Sequence, residues 1–358
     1  MTQQHKASLL PQKQGKLEVS TRLTPTPRGT QALVKVTAAL LVPQVNPADW
    51  KIIETGLFLE TYPAVLGYDG AGIIHAVGPA VTNFKVGDRV IFQGTLDYDY
   101  TAYQEYALVD TELIAKAPSN VNDDQASTFP TGAFTAYAGL FQKTGIATPV
   151  NGPTAKGKSV LILGGSSSVG QFGKYDTSNA LLLLIYGSAI QFARIAGFST
   201  IATTASSQHT EFLKSLGATH VFDRDTDATT IRSAFPSPLG LAFDAISANA
   251  TQLLAFDLLA NPSPVSGAHL TIVNHPTDDF KEKNAGDKIA VHNVFGFSDK
   301  FRDLSVPFWQ KLGEWIEGGE LVPNRVQLVN GGLAGVPDAL ELSRKGVSGV
   351  KLVIRPQE

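Results

Sequence analysis

The run Ser159-Val-Leu-Ile-Leu-Gly-Gly-Ser-Ser-Ser-Val-Gly170 constrains the fold more than any other part of the chain. Its apolar half, Ser159–Leu163, reads as a short buried strand that empties into a turn of small residues and then a helix. That order aims backbone N–H groups and the positive end of a helix dipole at one point, which suits a pyrophosphate. Gly165 would make the tight turn, and Gly170 would let the helix pack closely on the sheet. Ser167 stands where the usual fingerprint has its middle glycine; serine is small and can itself donate to phosphate. Ser166, Ser168 and Val169 complete the cradle. The plainer reading is a Gly/Ser loop without a ligand, and the texture on either side favours the dinucleotide.

That texture changes along the chain. From Leu17 to about Asn120 the sequence shows short β runs broken by Gly and Pro: Ala32–Ala38, Gly70–Val77, a turn at Lys85–Val90 and Gln104–Val109. Gly70-Ala-Gly72 would permit a close backbone approach. After Asp123, Gln125–Phe141 has helical spacing. Strands at Thr200–Thr204, His220–Phe222, Ala242–Ile246 and Leu270–Val273 then alternate with helices at Ile190–Ala196 and Gln208–Leu216, which predicts a parallel sheet covered on both faces. A helix at Phe308–Glu317, a strand near Val326–Val329, a helix at Val336–Arg344 and a strand at Lys351–Ile354 should return to the first, β-rich region. At 358 residues the chain is long enough for two domains. The expectation is an α/β protein: a β domain over 1–127 with 298–358, and a doubly wound Rossmann domain over 128–297.

The second strand of the parallel sheet bears on the choice of cofactor. At its end, Ala202-Thr-Thr-Ala-Ser-Ser-Gln-His209 lacks the carboxylate that an NAD enzyme sets on the ribose 2′-hydroxyl. Thr204, Ser206 and Ser207 can donate to a 2′-phosphate, with His209, Lys214 or Arg224 supplying positive charge. NADPH is therefore the expected cofactor. Taken alone, His209 reads equally well as an exposed residue at a helix start.

Composition removes other classes. A formal net charge of −3 and no basic run argue against nucleic acid or an anionic membrane as partner, leaving a small molecule or another copy of the chain. With no cysteine there can be no disulfide, thiolate nucleophile or cysteine-based zinc site, and the seven histidines are scattered. Met1–Lys16 lacks the apolar core of a signal peptide, and the longest aliphatic run, Leu181–Ile185, cannot span a bilayer. A soluble, cytoplasmic protein is expected.

With these residues assembled, the chain resembles the medium-chain dehydrogenase/reductase superfamily over nearly its whole length. The matching pieces are Asn46-Pro-Ala-Asp-Trp-Lys51, Gly67-Tyr-Asp-Gly-Ala-Gly72, Val86-Gly-Asp-Arg-Val90, the phosphate turn and Ser348-Gly-Val-Lys-Leu-Val353. It looks most similar to zinc-free quinone and enoyl reductases, among them fungal reductases acting in trans with polyketide synthases. The resemblance implies a GroES-like first domain and an active cleft between the domains. Zinc-dependent members carry a cysteine at the place of Asn46 and a His-Glu pair at Tyr68-Asp69, so the metal route is unsupported here.

By the same resemblance Asn46, Asp49 and Lys51 would line the nicotinamide and its ribose, Thr135 would pack beside the nicotinamide, and Thr131–Ala138 would border the substrate. Val350 and Lys351 would close on the cofactor. Tyr68 and Lys51 are the candidate proton donors, with Tyr62 behind them, and a proton from water remains open. Each has a plain alternative: Lys51 a solvated charge, Tyr68 a core residue, Asn46 a turn residue before Pro47.

One segment does not fit. Gly173–Ser188 separates Val169-Gly-Gln-Phe172 from Ala189-Ile-Gln-Phe-Ala-Arg-Ile-Ala-Gly197, which would join into one amphipathic helix. Its glycine, polar cluster and aliphatic run should break that helix one turn past the phosphate site. Gly-Lys-Tyr-Asp can be encoded through GTAAGT, so a retained intron is one reading and a surface loop the other. The expected function is NADPH-dependent, zinc-independent reduction of an activated C=C bond in an enone, quinone or enoyl thioester. Alternatives are carbonyl reduction, a subunit that acts only on chains held by a polyketide synthase carrier, and a fold-keeping protein without activity. A homodimer through the cofactor domain would be usual for the resemblance.

Overall fold

The structure, a computed structural model, describes residues 3–41, 49–164, 179–345, 347 and 350–358, with the backbone alone at 41, 51 and 179–186. It divides into two compact units, one built on Met1–Phe134 and Phe297–Glu358, the other on Thr135–Lys174 and Leu182–Gly296.

The first unit is β-rich. A seven-stranded sheet runs in the order Val326–Leu328, Lys351–Ile354, Gln31–Leu41, Asp69–Val77, Arg89–Gln93, Ile114–Lys116, with Tyr106–Asp110 also paired to Gln31–Leu41. A smaller sheet joins Glu18–Leu23, Gln4–Leu10 and Ala64–Val65. The last strand of the chain thus lies antiparallel against Gln31–Leu41, pairing Leu352 with Leu41 and Val353 with Leu40. Side chains such as Val34, Val36, Ile74, Phe92, Leu352 and Ile354 fill the core. At the glycines of Asp69–Val77 the close approach expected from sequence is present. A Cβ on Gly72 would drive into the Lys35 carbonyl, and one on Gly70 into the Phe92 ring. The helix Arg302–Glu317 begins a turn and a half before the sequence pattern does and buries Phe308, Trp309, Leu312, Trp315 and Ile316.

The second unit is a six-stranded parallel sheet. Its order is His220–Phe222, Thr200–Thr204, Ser159–Leu163, Leu241–Asp244, His269–Ile272, Ala290–Asn293, all pairs parallel. Counted within this unit, the order is 3-2-1-4-5-6, the doubly wound arrangement of dinucleotide-binding sheets. The strand that carries the fingerprint, Ser159–Leu163, sits where the order reverses. Leu161, Leu163, Ala242, Leu270 and Ile272 form the core with Phe256 and Leu259 of the helix Asn249–Ala260.

Three expectations are corrected. Gln125–Phe141 is two helices, Asp123–Ala126 and Pro130–Phe141. Asn122 and Gln125 form a capping box at the first, and Pro130 opens the second, where its missing N–H costs nothing. The helix expected from Ile190 starts earlier, because the aliphatic run is itself helical and Asn179–Ile195 is one continuous helix through Gly187. Leucine and alanine are strong helix formers, and one interior glycine costs only about 1 kcal/mol. The fingerprint residues Gly165–Gly170 and the expected break at 173–178 lie outside the described residues. Finally, the edge strand Ala290–Asn293 has no counterpart in the sequence reading; it is short, and only His292 in it is buried.

Candidate functional site

In the first unit, strand register gathers a polar cluster inside an apolar core. Cross-strand partners share a face of the sheet, as do residues two apart on one strand. Val353 pairs with Leu40, Leu40 with Asp69, and Asp69 with Gln93, so these four stand in one row. Lys351, two residues before Val353, joins the same face. Both Asp69 and Lys351 are 0% exposed.

The cluster is hydrogen-bonded on one side and open on the other. Asp69 Oδ1 accepts from the Thr131 backbone N–H at 2.8 Å and from Thr131 Oγ1 at 2.6 Å. Thr131 Oγ1 accepts from Gln93 Nε2 at 2.8 Å, and Gln93 Oε1 accepts from the Ser298 N–H at 2.8 Å. Asp69 Oδ2 and Lys351 Nζ have no hydrogen-bond partner among the described residues. Burial pushes the Asp69 carboxyl above the usual carboxylate range, with Lys351 and Thr131 opposing. Burial likewise pulls the Lys351 ammonium well below its usual range, with Asp69 opposing.

A second pair lies in the same unit. Asp49 opens the helix Asp49–Thr55, is fully buried and accepts a hydrogen bond from the Tyr103 hydroxyl. Tyr68 is 7% exposed, and its ring meets Phe297 edge-on at 5.3 Å between centroids. Burial, with the nearby Asp49 charge, raises the Tyr68 phenol far above its usual value, so it stays protonated and able to donate. The Tyr62 hydroxyl is buried without a hydrogen-bond partner among the described residues. Lys51 lies on the Asp49–Thr55 helix with only its backbone described, and Asn46 lies outside the described residues. Val350, half-buried, precedes the last strand.

In the second unit, the residues expected at the nucleotide's ribose gather at the carboxyl ends of two adjacent strands. Thr204 closes Thr200–Thr204, is buried, and pairs with Phe222 of the neighbouring strand. Arg224, two residues past Phe222, donates to Ser206 Oγ. Ser207 and His209 form the next turn, where Gln208 and His209 meet at 3.2 Å. Lys214 is drawn toward Glu211 on the exposed side of its helix, at 3.6 Å. No carboxylate stands between Thr204 and His209. Thr135, 3% exposed, is packed within the helix Pro130–Phe141.

Sequence reasoning missed Gln93 and Ser298 altogether, and singled out Asp69 only as half of a His-Glu position. The available signal was an aspartate opening an otherwise apolar, glycine-rich strand. It also missed Asp244, fully buried at the end of the fourth parallel strand. Asp244 Oδ1 accepts from the Ile246 and Ser247 N–H groups at 3.0 and 2.9 Å, and Oδ2 from Thr251 Oγ1 at 2.7 Å. Burial raises this carboxyl to about 6.

The donor set does not suit zinc. The chain has no cysteine, one oxygen of Asp69 is committed to Thr131, and no three His, Asp or Glu side chains gather into a metal-holding group among the described residues. No helix among the described residues is long and apolar enough to cross a membrane.

Comparison with known proteins agrees with the architecture. Residues 28–119 match the alcohol dehydrogenase GroES-like domain, and residues 187–265 match the zinc-binding dehydrogenase domain, starting at the far end of Gly173–Ser188. The chain is 32% identical to dehydrogenase azaJ of Aspergillus niger, covering 97% of this chain and 98% of the relative. It is 30% identical to trans-enoyl reductase tndF of Aspergillus flavipes, covering 99% of both. Among solved structures, CurK enoyl reductase superposes with a TM-score of 0.71 at 20% identity over 99% of both chains, a likeness of fold. The chain belongs to the medium-chain dehydrogenase/reductase superfamily, oxidoreductases that work with a nicotinamide dinucleotide.

Proposed function

We propose that the chain is an NADPH-dependent reductase that saturates an activated C=C bond, in an enone, a quinone or an enoyl thioester, without a metal. The observation that carries the cofactor choice is the Arg224–Ser206 contact at the end of the second parallel strand. A guanidinium and hydroxyls at this place match a 2′-phosphate, whereas NADH would call for a carboxylate there. Gly165–Gly170 would hold the pyrophosphate, with Thr204, Ser207 and His209 around the ribose. Bound there, the dihydronicotinamide supplies the hydride.

The remaining chemistry falls to the protein. Negative charge that builds on the substrate carbonyl oxygen needs donors fixed in advance, and a site without metal donors must provide them as hydrogen bonds. Tyr68, held in its protonated form by burial, is one such donor. Lys51 and Asn46 are the others, Thr135 and Val350 are assigned to positioning the cofactor, and Asp49 and Lys351, both fully buried, to the support behind them. The enoyl class is favoured by the trans-enoyl reductases tndF, himH and ACTTS2 among the relatives. By that likeness the natural substrate is a chain presented by a polyketide synthase carrier protein. Carbonyl reduction is the second reading, because dehydrogenases azaJ and pigH are equally similar relatives.

Cofactor oxidation with 2-cyclohexenone, crotonyl-pantetheine and a carrier-bound crotonyl group tests the proposal. NADPH should be favoured over NADH. Arg224→Ala should weaken NADPH binding by about 10-fold, the order of one charge-assisted contact, and leave NADH unchanged. Equal affinity of the variant for NADPH would defeat the cofactor assignment. Activity confined to the carrier-bound group would mark a carrier-dependent subunit.

A further inference from the structure

We propose that the Thr131 hydroxyl delivers the proton to the substrate α-carbon, and that Asp69 and Lys351 are positioning residues that resupply it. This rests on the alkene-reductase reading above. Hydride addition to the β-carbon leaves an enolate, and the reaction ends only when a proton reaches the α-carbon.

The arrangement of Thr131 suits that role. Its hydroxyl is fixed from two sides, donating to Asp69 Oδ1 at 2.6 Å and accepting from Gln93 Nε2 at 2.8 Å. Gln93 is itself anchored by the Ser298 N–H. Thr131 is half-buried at the start of its helix, whereas Asp69 and Lys351 are 0% exposed. Of these three residues, Thr131 is the one with surface left for a ligand to touch.

Behind it, the structure leaves two complementary atoms unsatisfied. Asp69 Oδ2 can accept and Lys351 Nζ can donate, both on one face of the sheet, yet neither makes a hydrogen bond to a described residue. Buried polar groups in native proteins are nearly always paired, and the exceptions concentrate where a group is used. A purely structural ion pair would close into contact and satisfy both ends. Burial also raises the carboxyl and lowers the ammonium, which draws the acid–amine form toward the carboxylate–ammonium form in energy. A proton can then rest on Asp69 without leaving the pair.

Hydride on the β-carbon, which bound NADPH would supply as its nicotinamide is oxidised, leaves the enolate. In the acid–amine form of the pair the Asp69 carboxyl donates to Thr131 Oγ1, which frees the Thr131 O–H for the substrate. The Thr131 O–H bond breaks as its proton forms the α C–H bond, and the Asp69 proton moves to Thr131 Oγ1. The pair is left as carboxylate and neutral amine, and one proton from water, passed back through Thr131, restores it.

Reduction of crotonyl-pantetheine by NADPH in deuterium oxide reads this out directly. The wild type should place deuterium on a single face of the α-carbon. Thr131→Val should lower kcat by about 100-fold, the usual worth of a general acid, and spread the label over both faces as water protonates the enolate. Thr131→Ser should restore rate and face, and NADPH affinity by calorimetry should be the same in all three. A Thr131→Val enzyme with wild-type rate and single-face label would overturn the proposal and leave the alkene-reductase reading standing. A wild type that reduces no C=C probe would overturn both. Should Thr131→Val fail to fold, Asp69→Asn decides: a fall in kcat at unchanged KM supports the relay, and an unchanged kcat overturns it.

Discussion

Each unit buries an aspartate completely at the end of a central strand, and the two are used differently. Asp244, in the parallel sheet, spends both oxygens on its own turn, two backbone N–H groups and a threonine hydroxyl. Asp69, in the antiparallel sheet, spends one oxygen on Thr131 and leaves the other without a hydrogen bond among the described residues, as is Lys351 Nζ on the same face of the sheet. Burial raises both carboxyls, so burial and titration do not separate them. Hydrogen-bond satisfaction does. A fully paired buried carboxylate staples a loop, whereas half-paired buried groups concentrate where a protein uses them.

The largest effect expected from breaking this comparison is at Lys351. Lys351→Met strands the Asp69 charge in the core and should cost about 3 kcal/mol in urea denaturation, the scale for removing one partner of a buried pair. The double change Asp69→Leu with Lys351→Met should recover most of that stability while remaining inactive. A stable, inactive double variant separates folding from chemistry; an active one would show the pair to be dispensable.

Asp244 should give a smaller and opposite pattern. Asp244→Ala removes three hydrogen bonds and should cost about 2 kcal/mol of stability while a folded sample keeps its kcat. Its pH signature is defined in sign. The folded carboxyl sits near 6 against an ordinary 3.8, so the folded state holds the proton more tightly across that window. Stability should therefore fall as pH rises from about 4 to about 6, and Asp244→Asn should flatten that fall. A wild type whose stability rises over this window, with Asp244→Asn unchanged, would mean the carboxyl ionises freely.

Much of this fold was legible in the sequence, for local reasons. Apolar runs such as Ser159–Leu163 and Thr200–Thr204 announce parallel strands, and Gly70 and Gly72 mark a close approach that the structure contains. Pro130 carried the signal that splits Gln125–Phe141, and the helical period on either side concealed it. Ala290–Asn293 was hidden because an edge strand needs little apolar surface to form. The helix Asn179–Ile195 starts earlier than the Ile190 read from sequence because the Leu181–Ile185 run is itself good helix.

The candidate site was legible only in part. The hydroxyls and Arg224 near the second strand could be named because they lie close together in sequence. Asp69, Gln93, Thr131 and Lys351 come from three separate strands and a helix start, and only register brings them together. No local pattern contains that information.

Product analysis with NADPH carrying deuterium at its nicotinamide C4, after exhaustive chelation of the protein, tests the central claim most directly. The expected result is deuterium on the β-carbon of reduced crotonyl-pantetheine or 2-cyclohexenone, at a rate that chelation does not change. Deuterium on a carbinol carbon, or activity lost to the chelator and restored by zinc, would contradict it.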